Sequence, residues 1–261
     1  MFVLPEKEMV IEKTTSEKIK GLIRPLYQNA VALIRCVEHK FRGSKIKDPK
    51  LVPIIINNRN RLLFMTQLIE SLEARGYYNI HIIDNNSDFP PLIEFYESCK
   101  YQVYRLNKNV GHLSLWKTDL YKKFINDYYV YTDSDVVLVE ECPDDFMQVF
   151  IQEMERNLWV QKIGFSLKLD DLPDHYHKKT EVVKWENQFY QQKVGNLFYK
   201  ADVDTTFALY RPGMRANKGW LMYRSAFPYQ ARHMPWYTES RNLSDEENYY
   251  ITNAALSTHW T

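Results

Sequence analysis

The sequence predicts an α/β fold: a mostly parallel sheet flanked by helices, with a helical extension at its amino end. Three observations predict it. From residue 51 onward, short apolar runs alternate with stretches of helical periodicity across short connections, which is the pattern of a parallel sheet covered on both faces. Each of the first apolar runs stops at a polar cluster, and sheets of this kind bind ligands beyond the carboxyl ends of their strands. Before residue 51 the pattern is different, a single amphipathic helix followed by a charged linker.

The extension, residues 1–50, opens its helix at Pro25, a residue suited to a first helical turn. Leu26, Ala30, Leu33, Ile34, Val37 and Phe41 then follow helical spacing, and Gly43 closes the helix. These 50 residues carry 11 Lys and Arg against 6 Asp and Glu, a balance of +5 inside a chain whose net charge is +1. Such an apolar stripe must pack on something. The main domain is the default; a second subunit or an anionic membrane surface are the other partners it could meet.

In residues 51–261 the expected order starts with a strand at 52–56, a helix at 62–73 and a strand at 80–83. A helix at 91–100, a strand at 101–106, one helix over 113–124 and a strand at 128–132 follow. Beyond residue 139 a helix is expected at 144–157, a strand at 163–167, a helix at 181–193 and a strand at 205–210. A loop-rich region with Trp220 and Trp236 leads to a last helix at 244–255.

Composition narrows the function. Apolar residues at 45% and charged residues at 26% describe an ordinary globular enzyme. Aromatic residues reach 15%, material for sugar-stacking faces and equally for a core. The body beyond the extension is slightly acidic, which argues against non-specific nucleic-acid binding. Cys36, Cys99 and Cys142 are scattered, forming neither a disulfide framework nor a zinc site, so a reducing cytoplasm is the expected compartment. No stretch approaches the ~18 apolar residues of a membrane span.

Asp133-Ser134-Asp135 follows the strand at 128–132 and precedes another apolar run. Two carboxylates one residue apart at a strand end can converge on Mn²⁺ or Mg²⁺, with phosphates and water completing the shell. A D-x-D alone arises by chance in a chain this long; its place between two apolar runs raises it above chance. The strand at 80–83 ends in Asp84-Asn85-Asn86-Ser87-Asp88, able to hold a nucleoside, although Asx and Ser are also the usual helix-capping residues. The first strand ends in Asn57-Asn58-Arg59, with Arg59 suited to a phosphate or base edge.

Pro53 to Arg59, Ile82 to Asp88, Asn109-Val110-Gly111 and Asp133-Ser134-Asp135 together resemble the ordered signatures of GT-A (Rossmann-like) glycosyltransferases, most closely glycosyltransferase family 2. The resemblance covers about residues 51–140. It implies a donor half at 51–140 and an acceptor half at 141–261. It also implies a UDP- or dTDP-sugar donor, a metal on Asp133 and Asp135, and a later carboxylate acting as base. Asn57, Asn58, Arg59, Asp84, Asn86, Gly111, His112, Asp133 and Ser134 are the donor-binding candidates. The family's later pattern is matched in order by Lys218-Gly219-Trp220, by Asp245-Glu246-Glu247 as catalytic candidates, and by His259 as a metal or diphosphate ligand. Ser244 and Glu247 also form a capping box, S-x-x-E. Asp204, His233 and Trp236 are candidates for the acceptor wall.

The reaction expected is inverting transfer to a saccharide or lipid-linked saccharide, in bacterial surface polysaccharide synthesis. The expected setting is the cytoplasm or the inner face of the membrane. Three rivals stand beside this reading, the first a nucleotidyltransferase, whose sheet usually opens with a Gly-rich phosphate loop, whereas residues 52–62 contain no Gly. Asp133 to Leu138 also matches the nucleophile motif of haloacid-dehalogenase-type phosphatases, but that motif belongs on a domain's first strand. A non-catalytic carbohydrate-binding subunit would be expected to have lost the metal dyad, which is intact here.

Overall fold

The computed structural model describes residues 30–31, 33–216, 221–239 and 243–253. Lys218-Gly219-Trp220 and His259 therefore lie outside the described residues. In chain order the strands and helices begin with β1 (Ile54–Asn58), α1 (Leu63–Glu73), β2 (Ile80–Asp84), α2 (Pro90–Ser98) and β3 (Gln102–Arg105). Two single-turn helices, α3 (Ser114–Lys117) and α4 (Tyr121–Phe124), precede β4 (Tyr129–Asp133) and β5 (Val136–Leu138). The second half contains α5 (Phe146–Arg156), β6 (Val160–Gly164), β7 (Ser166–Leu167), α6 (Lys179–Glu186), β8 (Lys193–Val194) and β9 (Phe198–Lys200). It ends with β10 (Ala208–Tyr210), β11 (Leu221–Ser225), β12 (Gln230–His233) and α7 (Asp245–Asn253).

The main sheet has the order β3-β2-β1-β4-β10-β6-β11-β9-β8. The strands β3, β2, β1 and β4 are mutually parallel, and among the described strands only β10 and β9 run against the rest. This is the mostly parallel α/β sheet expected. Chain order reverses between β1 and β4, the kind of switch point beside which such sheets open a crevice at their carboxyl ends. A small second sheet, β5-β12-β7, lies just past it.

Side chains of a strand alternate between faces, and β1 uses both. Ile54 and Ile56 join one buried cluster with Met65, Leu68, Phe146 and Phe150, while Ile55 joins another with Ile83, Tyr129, Tyr131 and Tyr210. Each such side chain contributes about 1.5–3 kcal/mol by its burial, so the strand end carrying Asn57 and Asn58 is firmly held. Gly76, with φ 83°, ends α1 as expected.

Three expectations on the elements are corrected. The single helix over 113–124 is two separate turns, because Thr118 is extended and its hydroxyl donates to the carbonyls of Ser114 and Leu115. The helix over 181–193 stops as an α-helix at Glu186 and continues as a single 3₁₀ turn. The region expected as loop contains β11 and β12, and β8 and β9 come before it. Arg224 conceals β11 in the sequence; its burial is made possible by Glu186, which pairs with it at 2.6 Å, by the Asp202 carbonyl, which accepts its Nε at 2.7 Å, and by the Phe189 ring beneath it.

Candidate active site

The chain segments just beyond β1, β2 and β4 come together at the switch point. Asp133 ends β4 directly beside Asn57 of β1, its register partner. Ser134 and Asp135 form the tight connection to β5, and the Asp135 carbonyl accepts a hydrogen bond from Met234 N at 2.8 Å. The two carboxylates of the dyad thus share one strand end. Asp133 accepts the Thr205 hydroxyl at 2.5 Å, and burial together with the neighbouring Asp135 charge pushes its carboxyl up to about 8.

Thr205 is held in place from behind. Lys162, buried on β6, donates to the carbonyls of Val203 at 2.8 Å and Asp204 at 2.6 Å. Gly164 lets this loop approach, since a Cβ there would lie 2.4 Å from Val203 Cγ1 and 3.0 Å from the Phe207 carbonyl. Burial lowers the Lys162 ammonium to about 7. A lysine whose folded pKa is depressed leaves the unfolded chain binding more protons between about pH 7 and 10.5, so stability rises with pH across that window. Lys162→Met should flatten this rise, read as the difference between wild-type and variant denaturation midpoints at pH 7 and pH 10. A constant difference would count against it.

Asp84 is buried at the end of β2, accepts Ser87 N at 3.1 Å and lies 3.5 Å from Arg105 Nε. Its neighbours fasten the surrounding loops. Asn85 accepts Val110 N at 2.8 Å and donates to the Gly111 carbonyl at 3.0 Å, pinning the 109–111 turn, in which Gly111 has φ 82°. Asn60, at φ 52°, accepts Asp88 N and Phe89 N, tying the end of β1 to that of β2. Asn86 and His112 are exposed at the rim, and Arg59 is half-buried. Asn58 is fully buried, its amide donating to the Tyr96 hydroxyl at 2.9 Å, while Asn57 accepts Ser114 Oγ at 2.6 Å.

One site residue, Arg61, is absent from the sequence-based candidates. It is buried between Asp135, with Nε 3.9 Å from Oδ2, and Glu247, with which it forms a close ion pair. The Tyr250 ring lies 3.8 Å beneath its guanidinium. Burial works to lower its pKa, but Asp135 and Glu247 outweigh that and raise it. The signal available in the sequence is a pair of arginines, Arg59 and Arg61, just past the first strand.

The acidic cluster has structural engagements as well. Ser244 Oγ accepts Glu247 N at 3.2 Å, which is half of the capping box, while the Glu247 side chain goes to Arg61. Glu246 accepts Leu63 N at 3.1 Å and so caps α1 from another part of the chain. Burial raises its pKa. Asp245 is exposed at the start of α7, and Asp204 is exposed at the rim near Asp133. Pairing of β12 with β5 brings His233 Nε2 within 3.8 Å of Asp135 Oδ2, with the Trp236 ring centroid 4.8 Å from its own. Burial lowers the His233 pKa, Asp135 opposing and Arg61 adding to the shift.

The donor set fits a hard divalent cation: two carboxylates lie on one strand end, where burial and the second carboxylate disfavour the bare charge on Asp133 that a cation would offset. Among the described residues no cluster of three or more His, Cys, Asp and Glu is gathered around a common point. Two protein carboxylates are the usual contribution to an Mg²⁺-type site shared with phosphates.

No known family model matches the chain, and no curated protein matches it. Similar solved structures include S. aureus TarS residues 1–349, at 12% identity over 62% of this chain and 47% of that one, with a TM-score of 0.39. Glucosyl-3-phosphoglycerate synthase from Mycobacterium tuberculosis, in complex with Mn²⁺ and uridine-diphosphate-glucose, is 11% identical over 62% and 56%, also at 0.39. GalNAc-T7 with UDP, GalNAc and Mn²⁺ is 11% identical over 70% and 42%, at 0.42. GT-A type glycosyltransferases are thus among the structures this chain is similar to, and the likeness is partial. The chain spans about half the length of these structures.

Proposed function

We propose that this protein is a metal-dependent glycosyltransferase that moves a sugar from a UDP- or dTDP-sugar to a saccharide acceptor with inversion. The observation that carries the reading is the convergence of Asp133 and Asp135 with Asn57, Asp84 and Arg61 at the β1/β4 switch point. Asp133 and Asp135 would hold Mn²⁺ or Mg²⁺, which when bound stabilises charge on the departing nucleoside diphosphate. Asp84 and Asn57 hold the nucleoside, and Arg59, Asn86, Gly111, His112 and Ser134 border the donor. His233 stands beside the dyad on the acceptor side, whereas Trp236, expected on the acceptor wall, is buried in the core and only backs the His233 ring.

In the transfer step the acceptor oxygen bonds to the anomeric carbon as the bond to the diphosphate breaks, and the acceptor proton passes to a carboxylate. Glu246, Glu247 and Asp245 are the first candidates. Protonating Glu247 would leave Arg61 only the more distant Asp135 carboxylate, and Glu246 already caps α1, so Asp204 stands as the alternative base. Bacterial surface polysaccharide synthesis at the cytoplasmic side belongs to the same proposal. The phosphatase reading is less well supported, because Asp133 lies on the fourth strand of the sheet.

A thermal-shift panel of nucleotide sugars, with and without Mn²⁺, tests the donor. Free nucleoside diphosphate released only with an acceptor and metal is the expected assay result. Pyrophosphate release would point to a nucleotidyltransferase, and inorganic phosphate to a phosphatase. Asp84→Ala should raise the donor KM by about 10–100-fold, the loss of a hydrogen bond to a charged group, and leave kcat nearly unchanged. An unchanged KM with a reduced kcat would displace Asp84 from the nucleoside site.

A further inference from the structure

The helix over residues 33–42 packs on the domain by one face. Cys36 Sγ donates to the Pro212 carbonyl at 3.1 Å, and His39 Nε2 lies 3.0 Å from Asp127 Oδ1 with its ring edge-on to Tyr128. Asp127 precedes β4 and Pro212 follows β10, so the helix lies under the end of the sheet opposite the active site. At 100° per residue, Leu33, Ile34, Val37 and Phe41 fall within an arc of about 100° on the other side. All four are exposed, Phe41 by 86%.

The exposed apolar surface continues beyond the helix. Leu158 and Trp159 immediately precede β6, and Trp159 is 71% exposed. They belong to the same end: Cys36 Sγ lies 3.9 Å from Gln161 Oε1, and Gln161 Nε2 donates to the Leu158 carbonyl at 3.4 Å. Cations accompany this surface. Arg35, Lys40, Arg42, Lys45 and Lys47 stand in the segment against Glu38 and Asp48, whereas beside Leu158 the exposed Arg156 is offset by the exposed Glu155.

We propose that this end of the molecule docks on an anionic lipid bilayer. Phe41, Ile34 and Trp159 would enter the headgroup boundary, and the surrounding Lys and Arg would meet the lipid charge. Exposed apolar side chains in a cationic surround are the combination that binds anionic interfaces, each basic residue adding about 1 kcal/mol. A second copy of the chain is the poorer occupant, since a two-fold contact would bring the same cations face to face.

The surface lies at the amino ends of the strands, and the active site at their carboxyl ends, about 17 Å apart along the five residues of β4. If the carboxyl-end site transfers sugar as proposed above, its acceptor would be a saccharide long enough to reach past the protein, not a sugar lying at the headgroups.

Co-sedimentation of the full chain with vesicles tests the docking without using activity as readout. Binding is expected to phosphatidylglycerol–phosphatidylcholine vesicles and not to phosphatidylcholine alone. Phe41→Asp and Trp159→Ser should each weaken it at least about 10-fold, the scale of losing one buried aromatic contact, with unchanged melting curves. Absent binding, equal binding to neutral vesicles, or binding indifferent to both substitutions would overturn the proposal. So would self-association in light scattering that the same substitutions abolish, because the surface would then belong to a second copy. None of these outcomes bears on whether the carboxyl-end site transfers sugar.

Discussion

Asp135→Ala is expected to lower sugar transfer by about 10³-fold while leaving the protein folded. A Lewis-acid site supplies several kcal/mol of charge stabilisation, and about 4 kcal/mol corresponds to that factor. The fold should persist because the Asp135 backbone contact with Met234 N does not need the side chain, and Arg61 keeps Glu247 as its partner. The measurement is nucleoside diphosphate release by wild type and variant across a Mn²⁺ titration, with circular dichroism as control. Full activity of a folded variant, or full wild-type activity in excess EDTA, would remove the metal from the mechanism.

Much of the first half of the sheet was legible because its determinants are local. The runs at β1, β2 and β4 are nearly all Ile, Val and Tyr, and the Asx clusters that end them mark the carboxyl edge. Short connections then make a parallel order the economical one. The second half was less legible for a physical reason. Arg224 reads as surface until Glu186 neutralises it, and β12 is recognisable only through its pairing with β5. That pairing brings His233 to Asp135, a closeness that no spacing in the sequence records. The capping box at Ser244 was legible, but the destination of its glutamate was not. Arg61 and Glu247 are 186 residues apart, and a contact at that separation leaves no periodic trace. The order β3-β2-β1-β4 places the Arg61 loop beside the Asp133 turn, and α7 then covers both.

Arg61→Ala should cost about 3–5 kcal/mol of stability, the scale for breaking a buried pair and leaving a charge behind. At about 2–4 °C per kcal/mol for a chain of this size, melting should fall by roughly 6–20 °C. The cause is specific. Glu247 would remain buried in α7 with no cation, and Tyr250 would lose the guanidinium stacked on its ring. Because Arg61 also lies beside Asp135, activity is an ambiguous readout, so the melts should be made without metal or donor. Arg61→Met combined with Glu247→Leu should recover most of the loss, since apolar replacement of both partners of a buried pair is often neutral. Glu247→Gln then separates the two roles of this residue. A general base would lose about 10²–10⁴-fold in turnover at unchanged melting temperature. An ion-pair partner would lower the melting temperature first, in step with Arg61→Ala. If Arg61→Ala melts like wild type, the pair does not hold α7 over the crevice. The case for Glu247 as base would then be stronger, since its carboxylate would not be needed to neutralise Arg61.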